Sequence, residues 1–265
     1  MQGEARGRCL ALLVEYQGTA YGGSQLQANR PTIQGALERA LSSLTGESIR
    51  VALAGRTDAG VHALGQVASF GTGSRLPVET FERGANALLP EDISVRAAAE
   101  VSPQFDPRRN ALSRWYRYTL HDGRGRSALQ REFVWQAPAS QLDPGAMAEA
   151  ARSLVGRHDF AAFTQASEAR RRATERDVLR ASLCRKGRLV RFDIEANAFL
   201  TQMVRRIVGA LVETGTGKRS QEELAALVCD AEPGAAKLVA PPHGLCLMKV
   251  RYENGLFDDE TNEDI

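Results

Sequence analysis

The sequence has little of the chemistry that builds metal or redox centres. Among 265 residues there are four cysteines and four histidines, and no two cysteines stand at the spacing of zinc ligands or of a redox motif. Three of the cysteines lie in apolar runs, which predicts buried thiols. We therefore expect no metal site, and free thiols fit a reducing compartment.

A long hydrophobic run is also missing. The first apolar run, residues 9–14, is followed at once by Glu15 and is too short to span a membrane. The arginines before it are not accompanied by the cleavage site of a secretory leader. We therefore expect a soluble cytoplasmic protein without a membrane segment.

The formal net charge is small, at +2. Residues 254–265 contain five acidic and no basic residues, which is typical of a disordered acidic tail. Without this tail the chain carries +7, a balance that suits phosphate binding but is also common in other enzymes. Two arginine clusters are candidate phosphate contacts, or simply solvated faces: Arg124, Arg126 and Arg131, and Arg170, Arg171, Arg172 and Arg176.

Hydrophobic periodicity changes repeatedly between that of strands and that of helices. Strands are predicted at residues 9–16, 50–54, 66–70, 113–120, 189–196 and 246–252. Helices are predicted from Ile33 to a stop at Gly46, after the Asp143-Pro144 start, along residues 200–211, and after the capping box of Ser220 and Glu223. This order predicts an α+β fold of two similar lobes, with mixed or antiparallel sheets flanked by helices.

The predicted lobes are residues 1–105 and 106–253, followed by the acidic tail at 254–265. A cleft between two such lobes is a usual place for a site, so the catalytic cleft is expected there. In the first lobe, a tight polar loop at residues 55–64 separates two of the predicted strands.

This loop places four kinds of polar side chain between two glycines: Arg56, Thr57, Asp58 and His62. Glycines allow a tight turn and the close approach of a ligand. An isolated aspartate in such a loop is often only a turn former. Here the arginine, threonine and histidine on the same loop favour a catalytic role for the aspartate. His62 has no nearby cysteine or second histidine, so a metal site is not indicated.

The run Gly-Arg-Thr-Asp-Ala-Gly-Val-His at residues 55–62 resembles the signature loop of the tRNA pseudouridine synthase A family. Four further segments resemble that family in the same order, from about residue 8 to residue 252: Trp115-Tyr116-Arg117-Tyr118, Gly156-Arg157-His158-Asp159-Phe160, Asn197-Ala198-Phe199-Leu200 through Gly209, and Ala240-Pro241-Pro242-His243-Gly244-Leu245. Two segments depart from it. Gly23-Ser24-Gln25 replaces the usual Gly-Trp-Gln, and Phe105-Asp106-Pro107-Arg108 replaces Phe-His-Ala-Arg.

The resemblance implies isomerisation of uridine to pseudouridine at positions 38–40 of the tRNA anticodon stem-loop, by a homodimer. The reaction breaks the bond from ribose C1′ to uracil N1 and rejoins the base through C5, so no redox cofactor is needed. Asp58 would attack C1′ or uracil C6, or would deprotonate C2′. The sequence leaves these three routes open.

The resemblance also implies roles for other residues. Arg205 would lower the pKa of Asp58 and orient it, although arginines beside an apolar helix stripe are usually solvated. Tyr116 would stack on the base and assist proton transfer at C5, whereas Tyr118 is assigned to the core. Further substrate contacts are expected from Arg56, which would help to flip the nucleotide out of the stem, and from Thr57, His62 and Arg108. His62 is equally well explained as structural.

Three other functions remain open. An RNA-binding module without catalysis would keep the arginines and tyrosines but would not need Asp58 together with Arg205. A glycosidic hydrolase would need a second carboxylate beside Asp58, and the loop offers only one. A nucleotide site at residues 18–23 is disfavoured, because this segment has neither a Lys-Ser/Thr ending nor a G-x-G-x-x-G pattern.

Overall fold

The computed structural model describes residues 7–137 and 142–258 and divides into two compact units. The first unit comprises Met1–Leu112 and Leu247–Ile265, and the second comprises Ser113–Cys246. The predicted α+β fold with two lobes is confirmed. The lobes were predicted as residues 1–105 and 106–253, whereas the two units meet at Leu112 and Ser113, and the last strand groups with the first unit from Leu247 onward. Residues 259–265 of the predicted acidic tail lie outside the described residues.

The described residues form ten strands and six helices. The strands are β1 (Arg8–Tyr16), β2 (Ala52–Leu53), β3 (His62–Thr72), β4 (Ile93–Val101), β5 (Ala111–His121), β6 (Trp135–Gln136), β7 (Gly156–Asp159), β8 (Glu175–Lys186), β9 (Leu189–Ala196) and β10 (Leu245–Tyr252). The helices are α1 (Ile33–Thr45), α2 (Val78–Asn86), α3 (Pro144–Arg152), α4 (Ala166–Ala169), α5 (Met203–Gly215) and α6 (Gln221–Cys229).

In the first unit, the strand order is β4-β1-β3-β10, with β2 on β3. Strand β1 lies between β3 and β4 and is antiparallel to both, so that Leu12 is opposite Ala68 and Ala98. This central position explains why β1 reads as a continuous apolar run, because both of its faces are buried. Gly65 of β3 allows a close approach to β10, since a Cβ there would lie 2.3 Å from the Met248 carbonyl oxygen.

Helix α1 begins and ends where the sequence predicts. The Thr32 hydroxyl accepts the Gly35 N–H at the N-terminus. Gly46 ends the helix in the left-handed region, with φ of 72°. One face of the helix is buried, through Ile33, Leu37 and Leu41 among others. The two caps and the buried face therefore hold the helix firmly in place next to residues 17–32, the segment that precedes it.

In the second unit, the strand order is β5-β9-β8-β7, and β6 pairs with β5 in parallel. The other described pairs are antiparallel, so the predicted mixed sheet is confirmed. Tyr118, Phe192 and Phe160 are fully buried in its core. Both predicted caps are present: the Asp143 carboxylate accepts the Ala146 N–H at α3, and Ser220 forms a capping box at α6.

Several elements differ from the sequence prediction. Strand β3 begins at His62 rather than Gln66, because Ala63 pairs with Tyr16. Helix α5 begins at Met203 rather than near residue 200, and α2, β4 and β8 were not predicted. Of the thiols predicted to be buried, only Cys9 is; Cys184 and Cys229 are exposed and Cys246 is intermediate. In the parts of the chain that the structure describes, no helix is long and apolar enough to cross a membrane.

Candidate active site

The polar loop at residues 55–62 is held at its start by Gln66. The Gln66 side chain donates to the Gly55 carbonyl at 2.9 Å and accepts the Gly55 N–H at 3.2 Å. Gln66 is fully buried in β3, so its amide is satisfied by these bonds rather than by water. A buried glutamine therefore fixes the point where the loop leaves the sheet.

The middle of the loop is held by Ser24 and Tyr16. The Ser24 hydroxyl accepts the Thr57 N–H at 2.8 Å, and the Ser24 N–H donates to the Thr57 carbonyl at 3.1 Å. The Thr57 hydroxyl lies 2.8 Å from the Tyr16 hydroxyl. Thr57 is thus buried with its backbone and side chain bonded inside the protein, and its predicted contact with substrate stays a prediction.

The end of the loop is held against residues 17–24. The Gly18 N–H donates to Nδ1 of His62 at 3.1 Å, so this ring nitrogen is the acceptor. A Cβ at Gly18 would lie 2.0 Å from the Val61 carbonyl oxygen, so only glycine permits this approach. His62 is 5% exposed, which favours its structural interpretation, and its contact with substrate stays a prediction.

Asp58 follows directly on the anchored Thr57. Its carbonyl accepts the Val61 N–H at 3.2 Å, which closes a turn, and the residue is partly exposed. The neighbouring Arg56 is exposed, as a residue that contacts RNA would be. The loop therefore combines a rigid backbone with two charged residues that solvent reaches, one of each sign.

The second unit contains the other predicted catalytic residues, Tyr116 and Arg205. Tyr116 lies on β5 opposite Ile194 of β9 and is 7% exposed. Its ring meets Phe199 edge to face, with the centroids 5.1 Å apart. Tyr118 is fully buried and donates to the Pro241 carbonyl at 2.8 Å, in agreement with its assignment to the core.

Arg205 is held on α5 by the segment that contains Ala240. Its Nε donates to the Ala240 carbonyl at 2.7 Å, and its own carbonyl accepts the Ala240 N–H at 3.0 Å. Arg206 is held in a similar way, by a bond of 2.6 Å from Nη1 to the Ala236 carbonyl. Both arginines are partly buried and bonded to this segment rather than fully solvated, and the catalytic role expected for Arg205 stays a prediction.

Gly209 makes this contact between helix and segment possible. A Cβ at Gly209 would lie 2.1 Å from the Leu238 carbonyl oxygen, so the segment can pack against α5 only over a glycine. At the start of the helix, Gln202 adopts φ of 61°, a left-handed conformation that is costly for a residue with a side chain. The helix that carries Arg205 is thus tightly constrained along its first turns.

The surroundings of Arg205 perturb two ionisable groups. Burial raises the pKa of Tyr118 well above its usual range, and Arg205 partly opposes the shift. Burial lowers the pKa of His243; Glu132 and a backbone hydrogen bond with Val134 oppose the shift, and Arg205 adds to it. Both groups therefore stay neutral near pH 7, and Arg205 contributes to the field around each of them.

Arg108 lies on an exposed turn in the first unit. Asp106 organises this turn, because its carboxylate accepts the N–H groups of Arg108 and Arg109, each at 2.9 Å. The bond from the Arg109 N–H is the main cause that keeps the pKa of Asp106 below its usual value. Asp106 thus has a local turn-forming role at the position where the histidine would stand.

Sequence reasoning missed the residues that hold the loop in place. Tyr16 and Gln66 were seen only as members of strands, and Ser24 only as a departure from a family pattern. The available signal was a glutamine within the mostly apolar run of β3, because a buried amide must find partners. Among the described residues, no three histidine, cysteine, aspartate or glutamate side chains are grouped so that they could hold a metal ion.

Comparisons with known proteins identify the family of the chain. The family model described as "tRNA pseudouridine synthase" matches residues 12–108 and 150–253. These segments include Asp58 and Arg205, whereas Tyr116 lies outside them. One solved structure, described as "Dye-decolorizing protein from V. cholerae", aligns with a TM-score of 0.20 and 10% identity, which is too weak to bear on the fold.

Curated relatives match over almost the whole chain. The protein named tRNA pseudouridine synthase A of Geobacter sulfurreducens is 46% identical over 245 residues, which cover 92% of this chain and 100% of that protein. The proteins of the same name from Myxococcus xanthus and Geotalea uraniireducens are 44% and 43% identical. The chain belongs to the tRNA pseudouridine synthase family, as its motifs predict, and is therefore an isomerase.

Proposed function

We propose that this chain converts uridine to pseudouridine at positions 38–40 of the tRNA anticodon stem-loop, with Asp58 as the nucleophile or base. The observation that carries the proposal is the anchoring of the loop at residues 55–62. Three buried residues, Ser24, Gln66 and Tyr16, bind the segment just before Asp58, while Asp58 itself stays partly exposed. Such preorganisation suits a carboxylate that must meet a substrate atom in one geometry.

The proposed reaction is balanced within the substrate and the protein. The bond from C1′ to N1 breaks, the uracil turns, and a new bond forms from C1′ to C5. The proton on C5 leaves to solvent, and N1 gains a proton. No group is oxidised or transferred to another molecule, so the proposal requires no cofactor.

Tyr116 and Arg205 are proposed as the further catalytic residues. Tyr116 is proposed to stack on the target base and to assist proton transfer at C5. Arg205 offers a guanidinium whose position is fixed by Ala240. Arg56, on the exposed loop, is proposed to assist the flipping of the target nucleotide, since a base within a stem cannot be reached in place.

The decisive test uses tRNA transcripts with tritium at uracil C5. We expect the wild-type protein to release tritium to water without added metal or cofactor. Asp58→Asn should release none, because the amide can act neither as nucleophile nor as base, and its tRNA Kd should stay within about twofold. Glu91→Gln, which replaces another acidic residue by its amide in a turn outside the loop, serves as the matched control and should be fully active.

Other outcomes would redirect the assignment. Free uracil among the products would indicate a glycosidic hydrolase. Full activity of Asp58→Asn would remove the aspartate from the mechanism, and tight tRNA binding without turnover in the wild type would favour an RNA-binding module. Transcripts with a single uridine at position 38, 39 or 40 would then test the proposed sites separately.

We also propose a cytoplasmic homodimer in which both subunits contact each tRNA. Light scattering on the purified protein, alone and with tRNA, would measure its mass. A monomer of 28.8 kDa at micromolar concentration in both conditions would contradict this part of the proposal and leave the reaction untouched.

A further inference from the structure

Ser24 is a buried residue that links the loop of Asp58 to helix α1. Its side chain is 0% exposed. Its carbonyl accepts the Gln34 N–H in the first turn of α1 at 3.0 Å, and its N–H and hydroxyl both bind the Thr57 backbone. Ser24 thus connects a long, firmly packed helix with the residue immediately before Asp58.

The two bonds to Thr57 form a reciprocal pair. One residue satisfies both the N–H and the carbonyl of Thr57, at 2.8 Å and 3.1 Å, which fixes the peptide planes on either side of Thr57. Gly23 allows this approach through its φ of 112°, and a Cβ there would meet the Thr57 carbonyl oxygen at 2.8 Å. The peptide that leads into Asp58 therefore has little freedom to rotate.

The hydroxyl is the chemically specific part of this interaction. A tryptophan, which the family pattern would place at this position, has an indole N–H that donates and cannot accept. Alanine offers no acceptor at all. In this chain, alanine at position 24 would therefore leave the buried Thr57 N–H without its present partner, and a buried donor without a partner drives local rearrangement.

We propose that Ser24 is a positioning residue for Asp58: its hydroxyl holds the Thr57 N–H so that the Asp58 carboxylate meets the reacting nucleotide in one orientation. This inference rests on the proposed role of Asp58. A misplacement of about 1 Å can reduce a reaction rate by about a hundredfold. The rate of the chemical step should therefore respond to Ser24, while the affinity for tRNA should not.

The test compares Ser24→Ala with Ser42→Ala. The Ser42 hydroxyl accepts the Ile49 N–H at 3.0 Å, so the control removes the same kind of bond elsewhere in the same unit. We expect Ser24→Ala to lower the single-turnover rate constant, referred to below as kcat, at least about tenfold, while the Kd for tRNA stays within about twofold. Ser42→Ala should change neither quantity, even if the melting temperatures of the two variants fall equally.

Two further measurements separate positioning from general loss of structure. Hydrogen exchange should be faster in the peptide covering residues 55–62 of Ser24→Ala, and unchanged there in Ser42→Ala. Ser24→Cys, whose sulfur is a weak acceptor, should give an intermediate kcat. It also provides a folded comparison should the alanine variant be unstable.

The proposal is overturned by a kcat of Ser24→Ala within about twofold of the wild type, by an equal loss in Ser42→Ala, or by a loss confined to tRNA Kd. An inactive wild type would instead overturn the proposed function. The wild-type reaction therefore tells the two failures apart.

Discussion

At the scale of single residues, the polar groups around the predicted catalytic residues are held by buried partners. Gln66 binds Gly55, Ser24 binds Thr57, and Ala240 binds Arg205. Each of these bonds replaces water by a fixed protein group, so each restricts the orientation of one backbone or side chain. Removing one therefore displaces a functional group as well as lowering stability.

His243 carries a prediction about pH. Burial places its pKa below the ordinary value of 6.5, so the unfolded chain binds a proton more readily than the folded one. The contribution of His243 to stability is then complete above about pH 6.5 and is lost as the pH falls through the lower, folded value. We expect the wild type to lose more stability than His243→Gln between pH 7.5 and pH 5.

Urea unfolding of both proteins across this range measures the difference. Parallel pH profiles for the wild type and His243→Gln would show that His243 does not cause the loss of stability at low pH.

At the scale of elements, α5 and the segment at residues 236–240 behave as one constrained structure. Arg205 and Arg206 both donate to carbonyls of that segment, and Gly209 lets the Leu238 carbonyl approach the helix. Because the acceptor of Arg205 Nε, the Ala240 carbonyl, belongs to this segment, any shift of the segment also moves that acceptor.

Gly209→Ala is therefore expected to destabilise the protein by about 1–3 kcal/mol through overpacking, partly offset by the better helix propensity of alanine. It should also lower kcat, since the Ala240 carbonyl that holds Arg205 would be displaced. Chemical denaturation and tritium release measure the two effects. Gly215→Ala, on the same helix, should be milder, because its new Cβ would meet the Met147 side chain rather than a backbone carbonyl. Equal behaviour of the two variants would contradict the explanation.

The elements themselves were predictable where a local signal exists. Thr32 and Gly46 delimit α1, and Asp143 and Ser220 begin α3 and α6, because caps act through bonds within a few residues. Strand β8 has an alternation too weak to reveal it, since many of its side chains are exposed. The early start of β3 depends on its pairing with Tyr16, which is remote in sequence.

At the scale of the whole molecule, the residues proposed for catalysis and substrate binding lie in both units. Asp58 and Arg56 belong to the first, whereas Tyr116 and Arg205 belong to the second. The cluster at residues 170–176 also belongs to the second unit, and its members differ in environment. Arg170, Arg171 and Arg172 are all exposed. Arg172 forms an ion pair with Glu168 at 3.4 Å, and the partly buried Arg176 donates to nearby carbonyls.

This difference predicts which arginines bind tRNA phosphates. Replacing Arg170 and Arg171 together by glutamine should weaken tRNA binding and reduce the slope of log K against log salt by about 0.7–0.9 for each phosphate that is no longer neutralised. Binding titrations at several salt concentrations measure this slope. Arg152→Gln, which removes an exposed arginine paired with Glu149 at 2.7 Å, is the control and should leave the slope unchanged. An unchanged slope in the double variant would exclude this cluster from the binding surface.

The sequence by itself determined the family, the α+β class and the residues proposed for catalysis, because motifs and periodicity are properties of neighbouring residues. Only the tertiary structure decided that Ser24, Gln66 and Tyr16 hold the loop of Asp58, and that Ala240 holds Arg205. The tertiary structure also showed that the last strand groups with the first unit from Leu247 onward. These outcomes depend on interactions between residues far apart along the chain, where hydrogen bonds and close packing are selected by the folded backbone rather than by local preference.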